Sequence, residues 1–405
     1  MWQNGNHPKK PKMRKIRTNT IIISGLILGI IFLSLSPHLN INFNLVSSHN
    51  VTKINQNLSF NSSRAYELIL KQANLGPRYP GSEGIEKVRH LIASELFPKN
   101  KWTITYQNFS RTWLDNEKIT LVNIICKPNS YNQSHPSFLL LAHYDTRLWA
   151  DKDPNSLKRK QPVPGANDGA SGIAVALELG KVLLEEHNVT NFQLVFFDGE
   201  DQGNIGGWDW LVGSNFYAKS MEFKSLNLSF GILFDMVGGD NAVFKKEGYS
   251  NEYASQLVSL IWREADTLGY DEYFVNQLGK RIIDDHLPLL KEGFPAIDIV
   301  DDFSSRYIPW HTTFDNITYI SKETLEAVGF TIESFLSQYA DSTELASILR
   351  PFTFHTPFYF LDCFGGLVLL SLIILQWRRN SNRRQQDLFV LEISVVSLRP
   401  EALNR

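Results

Sequence analysis

Four short apolar segments of this chain each lead into acidic residues or a histidine, and helix-like segments lie between them. The four are residues 138–142, 192–197, 230–234 and 295–300. They are apolar on both faces, which is typical of strands buried between two layers of helices. Because they alternate with helical patterns, they predict an α/β fold with a largely parallel sheet covered on both sides.

The spacing of apolar residues also predicts the covering helices and two further strands. We expect helices at residues 65–75, 83–96, 171–186, 210–218, 253–268 and 323–339. The additional strands are expected at 102–108 and 119–127. Residues 128–136 and 150–164 are rich in Pro, Asn, Ser or charge, and are therefore expected to be loops.

The N-terminal part of the chain has a basic segment followed by an apolar one. Residues 1–20 are basic, and no small-x-small cleavage site follows the apolar residues 21–36. This pattern favours a transmembrane signal anchor over a cleaved signal peptide. A polar linker is expected at 37–63, and one folded domain at 64–340.

A second apolar segment, residues 357–377, admits two interpretations. It is a possible second transmembrane segment, but Asp362 interrupts it, so a buried helix or a membrane-surface hairpin is the alternative. Basic clusters lie on the outer flanks of both apolar segments, including the basic and polar tail 378–405. The positive-inside rule then predicts cytoplasmic termini and a membrane-anchored, extracytoplasmic domain between them. The formal net charge of −2 implies no nucleic-acid partner.

Acidic and histidine side chains collect where the predicted strands end, the edge at which α/β sheets carry functional groups. Adjacent side chains at a strand end point in different directions, so Glu200 and Asp201 can divide proton transfer and metal binding between them. The candidate residues in chain order are His143, Asp145, Asp168 in a glycine-rich turn, Glu200, Asp201, Asp235, the triplet Asp284-Asp285-His286, and His311.

Each candidate has an ordinary structural explanation as well. Asp168 and Asp284 could cap the helices that follow them. His143 could be a hydrogen-bonded core histidine, and Asp235 a plain strand-end carboxylate. Their joint occurrence favours a different explanation, because His, Asp and Glu groups at separate strand ends are what a zinc site with an attendant base requires.

Five motifs make the pattern recognisable. The motifs His143-Tyr144-Asp145, Gly165 to Gly172, Phe197 to Asp201, Asp284-Asp285-His286 and Trp310 to Asp315 resemble the zinc aminopeptidase/glutaminyl-peptide cyclotransferase superfamily. They look most like those of its bacterial glutaminyl-peptide cyclotransferase-like members. The resemblance covers residues 64–339, and it implies a three-layer α/β/α sandwich with a mixed, mostly parallel sheet and zinc at the strand ends.

The two branches of this family differ in their metal content. On the aminopeptidase pattern two zinc ions are expected, one on His143, Asp168 and Asp235 and the other on Asp168, Asp201 and His311, with Glu200 deprotonating the attacking water. On the cyclotransferase pattern one zinc is expected, on Asp168, Asp201 and His311. The cyclotransferases convert the N-terminal glutamine of peptides or proteins to pyroglutamate and release ammonia.

The cyclotransferase is the expected function, and the two-zinc aminopeptidase is the alternative. Zinc would polarise the γ-amide carbonyl, while Glu200 moves a proton from the α-amine to the leaving nitrogen. Asp235 and Asp284 would hydrogen-bond around that path, and Asp145 would support a ligand. Trp310 and Trp208 are expected as pocket walls, with core packing as the alternative explanation. Asp201 stands where such cyclases usually carry Glu, so the aminopeptidase remains an alternative function. A binding ectodomain without catalytic activity is a third possibility.

Overall fold

A six-stranded mixed sheet forms the centre of the computed structural model, which describes residues 58–95, 101–303 and 308–339. The strands are β1 Trp102–Thr112, β2 Lys118–Pro128, β3 Ser137–His143, β4 Phe192–Phe197, β5 Leu228–Asp235, β6 Phe244–Lys246, β7 Phe274–Leu278 and β8 Ala296–Val300. The strand order is β1-β2-β4-β3-β5-β8, and β6 pairs with β7 in a separate two-stranded sheet.

Strand directions explain why one edge of the sheet gathers the polar side chains. Strands β4, β3, β5 and β8 run parallel to one another, whereas β2 is antiparallel to both of its neighbours, β1 and β4. The carboxyl ends of the four parallel strands therefore lie along the same edge. This arrangement confirms the predicted α/β fold with its mixed, mostly parallel sheet.

Helices cover the sheet on both faces because side chains along each strand alternate between two cores. The helices are α1 Ser62–Ala73, α2 Glu83–Glu95, α3 Ala170–Glu185, α4 Val212–Ala218, α5 Met221–Lys224, α6 Gly248–Tyr253, α7 Ser255–Leu268, α8 His286–Lys291 and α9 Lys322–Tyr339. Leu140 belongs to a core with α1, α2, α3, α7 and α9, whereas its neighbours Leu139 and Leu141 face the core that contains α4, α5 and α8.

The folded domain begins earlier than the predicted boundary at Arg64. The backbone N–H groups of Ser59 and Phe60 donate to the Glu333 carboxylate at 2.7 and 2.8 Å. The Phe60 ring is buried, and a Cβ on Gly329 would overlap it. Residues 58–63 are therefore part of the packed structure, which shortens the predicted linker.

One helix starts later than predicted, and two short strands were not predicted. The helix expected at 210–218 begins at Val212, because Leu211 before it adopts a left-handed backbone with φ of 64°. Strands β6 and β7 were not predicted, since they are short and most side chains of β7 are exposed, so neither has a clear apolar alternation.

The predicted membrane segments lie outside the described residues. Residues 21–36 and 357–377 both fall there, so the signal anchor, the second span and the extracytoplasmic location stay predictions. Within residues 58–95, 101–303 and 308–339, no helix combines the length and the apolar character that crossing a bilayer requires.

Candidate metal centre

The candidate centre lies at the carboxyl edge of the parallel strands. His143 is the last residue of β3, Asp235 is the last residue of β5, and Glu200 and Asp201 follow β4. Asp168 precedes α3 in the glycine-rich turn, which the left-handed Gly169 (φ 93°) allows to pass close to β3. A Cβ at Gly169 would lie 2.6 Å from the Asp145 carbonyl oxygen, so this approach requires glycine.

Two clusters of possible metal ligands share the carboxylate of Asp168. In the first cluster, His143 Nε2 lies 3.2 Å from both Asp168 Oδ1 and Asp235 Oδ1. In the second, His311 Nε2 lies 2.9 Å from Asp201 Oδ1 and 3.7 Å from Asp168 Oδ2. All the ligand residues predicted from the sequence are thus brought together.

Zinc fits both clusters by geometry and by ligand chemistry. Ligand atoms at about 2.0–2.1 Å from a tetrahedral zinc are roughly 3.3 Å from one another. The separations in the two clusters, 3.2 Å in the first and 2.9 and 3.7 Å in the second, lie near that value. In addition, the buried Oδ2 atoms of Asp168 and Asp201 accept no hydrogen bond from any described residue. Buried carboxylate oxygens without a partner are costly unless a cation neutralises them.

The Asp168 side chain does not cap the helix that follows it. The residue at the cap position of α3 is Gly169, and no side chain caps this helix. Instead, the Asp315 carboxylate accepts from the backbone N–H groups of Asn167 and Asp168 at 2.8 and 3.1 Å. Arg78, which is fully buried, donates to the carbonyl oxygen of Gly165 at 2.6 Å. Asp315 and Arg78 therefore hold the turn, and the Asp168 side chain is left to face the two histidines.

Asp145 contacts the turn that carries Glu200 and Asp201 and the far side of the His143 ring. Its carboxylate accepts from the backbone N–H groups of Glu200 and Asp201 at 3.0 and 3.2 Å. Its Oδ1 atom also lies 3.5 Å from His143 Nδ1, the ring nitrogen opposite the cluster. Asp145 thus fixes the turn that carries Glu200, and its carboxylate lies beside the His143 ring; its support of a ligand stays a prediction.

Glu200 lies in an acidic and buried environment. Burial raises the pKa of Glu200 well above its ordinary value, and the charges of Asp201 and Asp284 add to the effect against the opposing influence of His143. Burial and the neighbouring Asp235 likewise raise the pKa of Asp284 to about 8. A divalent cation at the clusters acts in the opposite direction on these groups. The protein groups around Glu200 thus favour proton uptake by its carboxylate, and a bound cation offsets part of that effect.

Further acidic side chains lie next to the centre. Asp284 has Asp235 and Asp298 as charged neighbours. All three side chains are buried or nearly so. Burial, together with the charge of Asp284, raises the pKa of Asp298 well above its ordinary value.

A cavity of about 290 Å³ opens onto both clusters. Its polar floor is formed by Asp168, Glu200, Asp201, Asp235 and Asp284, and its apolar lining includes Trp210, Val300, Phe303 and Trp310. Because ligand pockets typically measure about 300–1,000 Å³, this one suits a small group.

Trp310 lines the cavity as expected, whereas Trp208 does not. The Trp208 ring stacks on Trp113 at 4.9 Å between centroids, and its Nε1 donates to the Thr112 carbonyl oxygen at 2.6 Å. It belongs to a small buried core next to β1. Trp210 takes the expected place, with its ring parallel to that of His311 at 5.9 Å.

Sequence reasoning missed several residues around the centre. Arg147, Asp151 and Trp210 surround the second cluster, and Arg78 and Asp315 hold the Asp168 turn. Arg147 and Asp151 are in or beside a segment predicted to be a loop, with no local pattern that distinguishes them from surface charges. Asp315 was part of a recognised motif, which is the one signal that could have indicated its role.

Comparison with known proteins agrees with this geometry. The family model for peptidase family M28 matches residues 123–336. A glutaminyl-peptide cyclotransferase from Bothrops jararaca is 26% identical over 295 residues, covering 65% of this chain and 77% of the relative. An aminopeptidase from Bacillus subtilis is 29% identical over 219 residues, covering 52% of this chain and 43% of the relative.

Solved structures give the same picture at higher identity. The glutaminyl cyclase of Bacteroides thetaiotaomicron, solved with bound N-acetylhistamine, is 32% identical with a TM-score of 0.65. The match covers 69% of this chain and 99% of that structure. The M28 model spans more than half of the chain, and the zinc-ligand clusters lie where the shared fold brings its strand ends together. The chain is a zinc-dependent enzyme that belongs to peptidase family M28.

Proposed function

We propose that this enzyme is a glutaminyl-peptide cyclotransferase, which closes the N-terminal glutamine of peptides or proteins to pyroglutamate and releases ammonia. The observation that carries the proposal is the cavity of about 290 Å³ beside the second cluster, which Trp210, Trp310 and His311 line together with Glu200 and Asp284. Aromatic side chains next to a ligand histidine suit a compact, uncharged substrate group, and the acids beside them suit its amine.

The second cluster would hold the zinc of a cyclotransferase. Its ligands are Asp168, Asp201 and His311, all buried beside the cavity. A zinc ion held there would supply a Lewis acid that polarises the γ-carbonyl group of the substrate glutamine.

Glu200 moves the proton that the reaction requires. As the α-nitrogen of the substrate forms its bond to the γ-carbonyl carbon, one of its protons passes to the Glu200 carboxylate. The same proton then goes to the γ-amide nitrogen, whose bond to carbon breaks so that ammonia leaves. Atoms and charge balance without another reactant. Burial raises the pKa of Glu200 above its ordinary value, which favours proton uptake by its carboxylate.

The acidic floor and the aromatic walls match the two ends of an N-terminal glutamine. The Asp235 and Asp284 carboxyl groups lie on the cavity floor and can accept hydrogen bonds from the substrate amine. Trp210 and Trp310 line the apolar side, which favours a compact, uncharged side chain over a charged one. The limited volume of about 290 Å³ fits the same class of group.

The names of several relatives agree with this proposal. The matched protein from Bothrops jararaca is a glutaminyl-peptide cyclotransferase, and solved relatives from Tannerella forsythia and Porphyromonas gingivalis are glutaminyl cyclases. The Tannerella structure is 34% identical with a TM-score of 0.64.

A two-zinc aminopeptidase is the second candidate, and one observation favours it. The first cluster is complete, since His143 Nε2 lies 3.2 Å from both of its carboxylate partners. Such an enzyme would use Glu200 to deprotonate the water that attacks the first peptide bond. A solved relative from Bacteroides thetaiotaomicron, described as a leucine aminopeptidase precursor, is 32% identical.

The proposal is tested by product analysis with a dipeptide that begins with glutamine. The full chain should release ammonia and leave a pyroglutamyl dipeptide with its second residue attached. Substitution of Glu200 by Gln should lower kcat about 10²–10⁴-fold, because the proton carrier is lost while the shape is kept. Release of the second residue as a free amino acid, without pyroglutamate, would refute the proposal.

The variant His143→Gln separates the two candidates. It removes a ligand of the first cluster and leaves the second cluster intact. A one-zinc cyclotransferase should keep its zinc and most of its activity, whereas a two-zinc peptidase should lose both a metal ion and its hydrolysis.

A further inference from the structure

The segment from Arg147 to Lys152 leads from the end of β3 to the second cluster. Asp151 Oδ1 lies 3.5 Å from His311 Nδ1, the ring nitrogen that faces away from Asp168 and Asp201. This Nδ1 atom is buried and has no hydrogen-bond partner within ordinary bonding geometry among the described residues, so the Asp151 carboxylate is the acceptor placed to take its proton. The Lys152 backbone N–H also donates to the His311 carbonyl oxygen at 3.1 Å. One short stretch of chain therefore approaches both the ring and the backbone of this histidine.

His311 requires such support because its backbone is unusual. Its φ of 56° lies in the left-handed region, which costs a non-glycine residue about 1 kcal/mol or more. An imidazole on a strained backbone holds one orientation only where its surroundings impose it. The Trp210 ring lies parallel to His311 and restrains it from one face. A partner at Nδ1 restrains rotation within the plane of the ring.

Arg147 fixes the position of Asp151. Its Nε and Nη2 atoms donate to the two oxygens of the Asp151 carboxylate at 3.0 and 2.8 Å, a two-pronged geometry that defines the orientation of the acid. Arg147 Nη1 also donates to the Asp201 carbonyl oxygen at 2.8 Å. The guanidinium is almost fully buried and lies 4.8 Å from the centre of the Trp210 ring. A single side chain thus connects the partner of one zinc ligand with the backbone of another.

We infer that Asp151, held by Arg147, accepts a hydrogen bond from Nδ1–H of His311 and so keeps Nε2 directed at the zinc position between Asp168 and Asp201. Both residues are positioning residues, since neither contacts the cavity floor. The inference rests on the zinc assignment within the proposed function, but it is independent of whether the enzyme cyclises glutamine or hydrolyses peptides.

Zinc affinity of the metal-free full chain tests the inference directly. Chelator competition would give the zinc dissociation constant of the wild type and of Asp151→Ala, Asp151→Asn and Arg147→Lys. Partners of this kind typically change metal affinity by about 10–100-fold. We expect Asp151→Ala to weaken binding by that factor. Arg147→Lys keeps the charge but loses the two-pronged geometry, so it should also weaken binding.

Two controls separate positioning from general damage. Asp209→Asn removes an exposed carboxylate that belongs to neither cluster, and it should leave zinc affinity unchanged. Asp151→Asn keeps the shape of the side chain, so it remains informative if the alanine variant folds poorly. In cobalt-substituted protein, the visible absorption of the second site should change in the Asp151 variants and stay unchanged in Asp209→Asn.

The outcomes are distinct. Weaker zinc binding in both Asp151 variants, with normal far-ultraviolet circular dichroism, supports the inference. Zinc affinity within twofold of the wild type in Asp151→Asn and Arg147→Lys overturns it. A wild-type chain that binds no zinc refutes the zinc-dependent function itself. This outcome differs from failure of the positioning role, in which the wild type binds zinc and the variants bind it equally well.

Discussion

Gly172 lies in the first turn of α3, directly after the turn that carries Asp168. A Cβ at this position would lie 2.1 Å from the Phe234 carbonyl oxygen on β5 and 3.1 Å from the Ala142 side chain on β3. Real Cβ contacts almost never fall below 3.0 Å, so Gly172→Ala requires a shift of at least about 0.9 Å. The overlapping oxygen belongs to the central sheet, and the start of α3 must therefore move instead.

The cost of this shift can be estimated. Overpacking of a buried position costs about 1–3 kcal/mol, and more where backbone must move. Alanine offsets part of this, since it is about 1 kcal/mol better than glycine in a helix. We expect the free energy of unfolding to fall by about 2 kcal/mol, which lowers Tm by roughly 4–8 °C for a domain of this size. Displacement of Asp168 should also weaken zinc binding, since a misplacement of about 1 Å at a site can cost about 10²-fold in activity.

Gly180→Ala is the matched control on the same helix. Its Cβ would meet the ends of the Leu194 side chain at 3.0 and 3.2 Å, and side-chain ends can move by a few tenths of an ångström. We expect its stability to stay within about 1 kcal/mol of the wild type. Thermal unfolding and zinc titration of the two variants side by side would test the argument. It fails if Gly172→Ala is as stable, and binds zinc as tightly, as Gly180→Ala.

Three further predictions follow from the same structure. Trp210→Ala should raise KM about tenfold or more with little loss of stability, whereas Trp208→Ala should lower the free energy of unfolding by about 3–5 kcal/mol. Steady-state kinetics and urea unfolding of both variants measure these effects, and the reverse pattern would contradict the assignment of Trp210 to the pocket. Asp315→Ala removes the acceptor of the backbone N–H groups of Asn167 and Asp168, so the turn that carries Asp168 should loosen and zinc affinity should fall. Chelator competition measures this affinity, and an unchanged value would show that the turn keeps its conformation without Asp315. Burial would raise the pKa of Glu247, but the His286 ring, whose Nε2 lies 3.2 Å away, and hydrogen bonds from the backbone N–H groups of Tyr249 and Ser250 lower it to about 2. The stability that Glu247 provides is therefore complete above its unfolded pKa near 4.5 and is lost as pH falls toward 2; Glu247→Gln should cost roughly 3 kcal/mol at pH 7 and flatten the acid dependence of urea midpoints, and parallel pH curves for variant and wild type would count against it.

The sequence was sufficient to predict the parts of the centre that lie at strand ends. His143, Asp235 and the Glu200-Asp201 pair follow apolar strands, and the parallel sheet alone brings such positions to one edge. The glycine-rich turn identified Asp168 because glycines mark close backbone approach. These residues could be placed before any side-chain contact was known.

The residues that sequence reasoning missed depend on contacts between distant segments. Arg147 and Asp151 contact Asp201 and His311 across the sheet edge, and nothing in the local pattern distinguishes them from surface charges. The choice between Trp208 and Trp210 depends on how their loop turns, and the left-handed backbone of Leu211 just after it has no signal in the sequence. The conformation of the loops around the centre is therefore the part of the structure that could not be predicted from the pattern of residues.

Zinc content measured together with reaction products tests the central claim most directly. The full chain, loaded with zinc and freed of excess metal, would be assayed with a dipeptide that begins with glutamine, and the same sample analysed for metal. The account predicts one zinc ion per chain and a pyroglutamyl dipeptide formed with one ammonia per turnover. Two zinc ions per chain, with free glutamine and its neighbouring amino acid as the products, would contradict it.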